Sequence, residues 1–146
     1  MDRSKLIAAA LAALILPSAA GATVLMPEDG TVTARGQAVY KEHCASCHGA
    51  NLEGEPNWRQ RKESGRLPAP PHDEKGHTWH HADHLLFELT KFGLKKFAGE
   101  NYESDMPAYD GTLSDAEIIA VLSYIKSTWP ADIREYHDRL NNQHSD

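Results

Sequence analysis

The chain has no third cysteine. Its 146 residues hold two, Cys44 and Cys47, so a structural zinc site with two cysteine pairs is excluded. It also lacks any sustained alternation of apolar and polar residues. That excludes a sheet built from amphipathic strands and predicts an all-α fold. No segment repeats, and no second Cys-x-x-Cys-His occurs, so at most one such site is present per chain. A long apolar run is missing as well. The longest, Leu6 to Leu16, is too short to cross a bilayer comfortably, and no stable membrane insertion is expected. Finally, there is no excess of positive charge. Fifteen Lys and Arg face twenty-one Asp and Glu, a net charge of −6. This argues against nucleic acid and anionic membrane as partners and favours a basic patch on a protein.

What is there centres on Cys44-Ala45-Ser46-Cys47-His48-Gly49. Two cysteines separated by two residues and followed directly by histidine form the attachment signature of c-type haem. Thiols three positions apart lie near one face of a helical turn. Each sulfur then reaches one haem vinyl group, and His48 falls beneath the iron as the proximal ligand. A thioredoxin-like redox pair would require a βαβ pattern around it, which is missing. With both cysteines bound to haem no disulfide remains, and the cofactor itself supplies the cross-link.

Downstream, Ser104-Asp105-Met106-Pro107-Ala108-Tyr109 and the stretch from Leu113 to Pro130 complete a pattern. Together with the cysteine motif, it resembles the small soluble class I cytochromes c of bacteria, from about Thr33 to Trp129. The resemblance implies three main helices around one covalently attached haem. It implies Met106 as the sixth ligand, opposite His48. Met1 leaves with the leader and Met26 precedes the first helix, so neither competes. A thioether is a soft neutral ligand that raises the reduction potential relative to two histidines. The resemblance also implies a proline carbonyl accepting from His48 Nδ1, which fixes the tautomer. In Leu67-Pro68-Ala69-Pro70-Pro71-His72 that acceptor is Pro70 or Pro71. Trp58 and Arg61, with Arg59, lie in a loop longer than the smallest family members have. There they are candidates to hydrogen-bond a haem propionate, since a buried carboxylate needs donors; an ordinary solvated basic segment is the alternative.

Residues 1–22 read as a cleaved signal peptide: Arg3 and Lys5 precede the apolar run, and Ala20-Gly21-Ala22 fits the small-x-small rule. Export to the periplasm is therefore expected, with cleavage near Ala22. Residues 23–32 form a lead-in, 33–129 the domain, and 130–146 a C-terminal extension. The first helix is predicted to start at Thr33 as N-cap, with Gly36 and Tyr40 matching family positions that pack on the last helix. A second helix is predicted from Asp83 to Phe92, with Gly93 after it. Ser114 and Glu117 form a capping box for the last family helix, and a short helix is expected over 132–140.

His72, His77, His80, His81 and His84 fall within thirteen positions. They are either loop and cap residues or a second metal site for copper, with His80 and His84 paired at i, i+4 if the helix starts early enough. The sequence thus supports a single-electron carrier between larger redox proteins, with no catalysis. The alternatives are a copper-linked redox protein and a haem enzyme or sensor whose sixth ligand is displaceable.

Overall fold

In the computed structural model the described residues are 24–143; the predicted signal peptide lies outside them. They form helices α1 (Gly30–His43), α2 (Ala45–His48), α3 (Asp83–Phe92), α4 (Lys95–Ala98), α5 (Asp115–Ser127) and α6 (Ala131–Gln143), with a 3₁₀ turn at Thr78–His80. No strand occurs among the described residues. The all-α expectation is met, with α1, α3 and α5 as the main helices.

The frame is the crossing of α1 on α5. Gly36 makes it possible: a Cβ there would overlap the Ala120 carbonyl oxygen and press on Tyr124. With the backbones this close, Tyr40 and Tyr124 meet at 5.7 Å between ring centroids. Ile118, Val121 and Ile125 of α5 are buried beside Val39 and Tyr40, each large side chain contributing about 1.5–3 kcal/mol on leaving water.

Local signals set most boundaries. Ser114 Oγ accepts from Glu117 N–H while Glu117 returns a bond to Ser114 N–H, the predicted capping box of α5. Gly93, at φ 80°, closes α3 as expected. The start of α1 differs from prediction. Asp29, not Thr33, is the N-cap, and its carboxylate accepts from Thr31 N and Val32 N at 2.9 and 3.1 Å. One carboxylate thereby satisfies two of the helix's unpaired amides. The Thr33 hydroxyl bonds back to the Asp29 carbonyl at 3.0 Å.

The two ends of the described chain dock together. Asp83, at the start of α3, accepts from Leu25 N at 3.0 Å and from Asn141 Nδ2 at 2.9 Å. Asn141 Oδ1 in turn accepts from Asp83 N at 2.8 Å. His137 of α6 is fully buried, with Nε2–H donating to the His81 carbonyl at 2.8 Å. These contacts hold α6, which is longer than the short helix predicted. Between α2 and α3 the chain is irregular but pinned. His72 N donates to Leu52 O, and Trp129 Nε1 donates to His72 O, both at 2.8 Å.

Candidate metal centre

The turn carrying the cysteines grows directly out of α1. Cys44 caps both α1 and α2, and the amides of Cys47 and His48 donate to its carbonyl at 3.1 and 2.9 Å. This puts Cys44 and Cys47 three positions apart on one turn. Neither is in a disulfide. Burial, with Cys47 next to it, pushes the Cys44 thiol up to about 11. A redox-active Cys-x-x-Cys has the opposite feature, a lowered thiol pKa.

His48 is buried, and its Nδ1 lies 2.8 Å from the Pro70 carbonyl. A carbonyl only accepts, so Nδ1 carries the proton and Nε2 carries the lone pair. Burial lowers the pKa of this imidazole and keeps it neutral, as a metal ligand must be. Of the two candidate prolines, Pro70 is the acceptor; the Pro71 carbonyl instead passes tightly against Gly76, where a Cβ would overlap it. Gly54 lets the proline segment approach: at φ 69° its missing Cβ leaves room for Pro70 and Pro71, and its N–H donates to His48 O at 2.7 Å. A neutral, hydrogen-bonded imidazole beside two free thiols on one turn fits covalent haem.

Met106 is half-buried and packs against the same core cluster as Cys44 and Ala45. With Phe92, Leu94 and Ala108 it lines a cavity of about 230 Å³. Its N–H donates to Ser104 Oγ at 3.0 Å. The methionine loop is tied to the cysteine turn by Tyr109, whose hydroxyl donates to the His43 carbonyl at 2.8 Å. Burial and the two cysteines push the Tyr109 phenol up to about 12. Tyr109 is a site residue that sequence reading passes over.

His72 is another. Its ring stacks on His48, with centroids 4.0 Å apart and planes inclined by 24°. Its Nδ1 lies 2.8 Å from Thr78 Oγ1, and burial holds its pKa well below the ordinary histidine value. The signal was its place two residues after Pro70 in an extended run, which shares a face with Pro70.

Of the remaining histidines, His77 and His81 meet edge to face at 5.5 Å, but their other contacts lead apart. His77 stacks on Trp58 at 5.2 Å, and His80 stacks on Trp79 at 3.6 Å. Because α3 starts at Asp83, His80 and His84 do not share a helix, and the i, i+4 pair does not form. Among the described residues no group of three or more His, Cys, Asp or Glu is arranged to hold a metal ion. The copper reading is left without support. Trp58 carries the Arg59 guanidinium on its other contact, 4.3 Å from the ring centroid. Arg61 is exposed and donates to the Gly65 carbonyl at 2.7 Å within its own loop.

Compared with known proteins, residues 33–129 match the sequence model of the cytochrome c family. The chain belongs to the cytochrome c family. The family binds covalent haem c, and this cytochrome has Cys44 and Cys47 at the required spacing. It is similar to the cbb3-type cytochrome c oxidase subunit FixP of Bradyrhizobium sp. (strain ORS 278), 26% identical over 107 residues. The match covers 72% of this chain and 33% of that subunit, so the cytochrome spans about a third of its relative's length. No solved structure matches. No described helix is long and apolar enough to cross a membrane.

Proposed function

We propose that this cytochrome is a periplasmic single-electron carrier in which Cys44 and Cys47 would hold one haem and His48 and Met106 would ligate its iron. The observation that carries the reading is the His48 Nδ1–H bond to the Pro70 carbonyl, made by a neutral imidazole on the cysteine turn. Bound haem supplies a one-electron Fe(II)/Fe(III) couple. The protein's own residues do the rest. Cys44 and Cys47 hold the cofactor through thioethers. Pro70 orients His48 and raises its basicity. Met106, kept in the Tyr109-anchored loop, favours Fe(II). With two protein ligands no position is open to a substrate, and the chain exchanges electrons without chemistry of its own.

The excess of acidic over basic residues, which loss of Arg3 and Lys5 with the leader increases, directs the carrier toward basic patches on larger redox proteins. The relative's name places such a domain within an oxidase subunit, and an oxidase-type complex is the partner class we favour. The basic run and small-x-small site in residues 1–22 support export.

Protein-film voltammetry of the matured protein tests this reading. A carrier gives one reversible one-electron wave, at the midpoint of a redox titration whose slope is about 59 mV per tenfold change in the oxidised-to-reduced ratio. Adding oxygen or peroxide leaves that wave unchanged. A catalytic current on addition of either would instead show an enzyme. Haem that leaves the wild-type chain on acidic organic extraction would contradict thioether attachment at Cys44 and Cys47.

A further inference from the structure

The segment that makes this cytochrome longer than the smallest family members carries a set of charges aimed at the methionine loop. Glu55 and Ala69 close its base: Glu55 N–H donates to Ala69 O at 2.8 Å, and Ala69 N–H donates to Glu55 Oε2 at 2.6 Å. Two cations project from the loop so closed. Arg66 pairs with Asp105 at 2.5 Å and with Glu103 at 3.4 Å. Lys62 pairs with Glu55 at 3.1 Å and reaches Asp105 at 3.9 Å. Asp105 immediately precedes Met106.

The two ends of the methionine loop are therefore held by different means. Its C-terminal end is bonded through backbone and hydroxyl: Tyr109 N to Thr90 O at 3.2 Å, Asp110 N to Lys91 O at 2.9 Å, and Tyr109 Oη to His43 O. Its N-terminal end, residues 103–105, is tied across to Arg66 and Lys62 by charge. The same network touches the proximal side. Glu55 fixes Ala69, and the next residue, Pro70, supplies the carbonyl that His48 uses. One run of ion pairs thus links the supports of both axial residues.

We propose that Arg66, assisted by Lys62, is a positioning residue for Met106. The insert acts as an electrostatic clasp that keeps the methionine loop closed against competing ligands. The inference rests on Met106 being the sixth ligand. Exposed ion pairs are individually weak, and this clasp gains from three carboxylates sharing two cations with short geometry at Asp105. It is also screened by salt in a way that a packing contact is not.

The test is imidazole titration of the Fe(III) holoprotein, monitored through the weak far-red band of thioether-ligated iron. Without imidazole, both wild type and Arg66→Ala show the band. Arg66→Ala then binds imidazole about three- to tenfold more tightly, the combined loss of several modest pairs. Raising salt to about 1 M, where the Debye length is near 3 Å, brings wild type toward the variant and changes the variant less, since only Lys62 still reaches Asp105 there. Arg66→Lys, which keeps one cation facing Asp105 and Glu103, restores part of the wild-type resistance. A present band with wild-type imidazole affinity in Arg66→Ala overturns the clasp alone. Absence of the band from wild type overturns the ligand reading, and the clasp with it.

Discussion

The imidazole of His72 lies flat on that of His48, 4.0 Å away between centroids and inclined by 24°. His48 is already bonded to Pro70, and His72 is fixed on three sides by Leu52, Trp129 and Thr78. The stack therefore presses a rigid ring against one free to turn only by breaking its hydrogen bond. Replacing His72 by alanine is expected to loosen that bond, lower the basicity of His48 and raise the reduction potential. A stacked aromatic pair is worth about 0.5–1.5 kcal/mol, which sets an upper bound on the order of 20–60 mV on the shift, reached if the stack acts in one oxidation state only. His72→Phe keeps a flat ring and should keep the wild-type potential. Equal shifts in both variants, measured by voltammetry, would show that stacking is not the cause.

The crossing of α1 and α5 predicts a large stability effect from the smallest substitution. In Gly36→Ala the new methyl meets the Ala120 carbonyl oxygen, which belongs to a helix backbone and has no rotamer to escape into. The helices must separate, and overpacking of this kind costs about 1–3 kcal/mol or more. The denaturant midpoint of the holoprotein should fall while its absorption spectrum in water stays that of wild type. An unchanged midpoint would mean the crossing is looser than described.

Much of this architecture was legible in local sequence. The cysteine motif, the Ser114–Glu117 capping box and Gly93 after α3 each depend on residues within one turn of one another, and each was found where expected. The start of α1 was missed because Asp29 and Thr33 are both good caps, and only the structure shows Asp29 reaching two amides. The contacts that finish the site are of another kind. Tyr109 reaches His43 across 66 residues, and Arg66 reaches Asp105 across 39. No period or spacing encodes such pairs. The histidine run left a shared metal and ordinary loop roles open for the same reason: density along the chain does not say where each ring goes, and folding stacks His72 on His48 and sends His77 and His80 to separate indoles.

The docking of α6 predicts loss of stability in mild acid. His137 is fully buried, its Nδ1 lacks a hydrogen-bond partner, and Lys126, Asp83 and Asp138 are the charges around it. Burial, followed by the nearby Lys126, lowers its pKa below 6.5, against the pull of the His81 carbonyl and the two aspartates. Between the unfolded value of 6.5 and the lower folded value, the unfolded chain holds more protons, so stability rises with pH in that window. The contribution is complete above 6.5 and is lost as pH falls toward the folded value. His137→Gln keeps a donor for the His81 carbonyl and does not titrate. Chemical denaturation as a function of pH should show a shallower acid slope in this variant, with a remainder from His72, His77 and His81, which burial also shifts down. Identical slopes would exclude His137 as a source of the acid sensitivity.

His48 and Met106 together are expected to close the iron to substrates, and the Fe(III) absorption spectrum decides whether they do. The wild-type protein should be low-spin and show the weak far-red sulfur-to-iron band. Met106→Ala should lose that band, and its Fe(II) form should bind carbon monoxide, which wild type does not. A wild-type spectrum that is high-spin, or that lacks the band and is unmoved by Met106→Ala, would contradict the account.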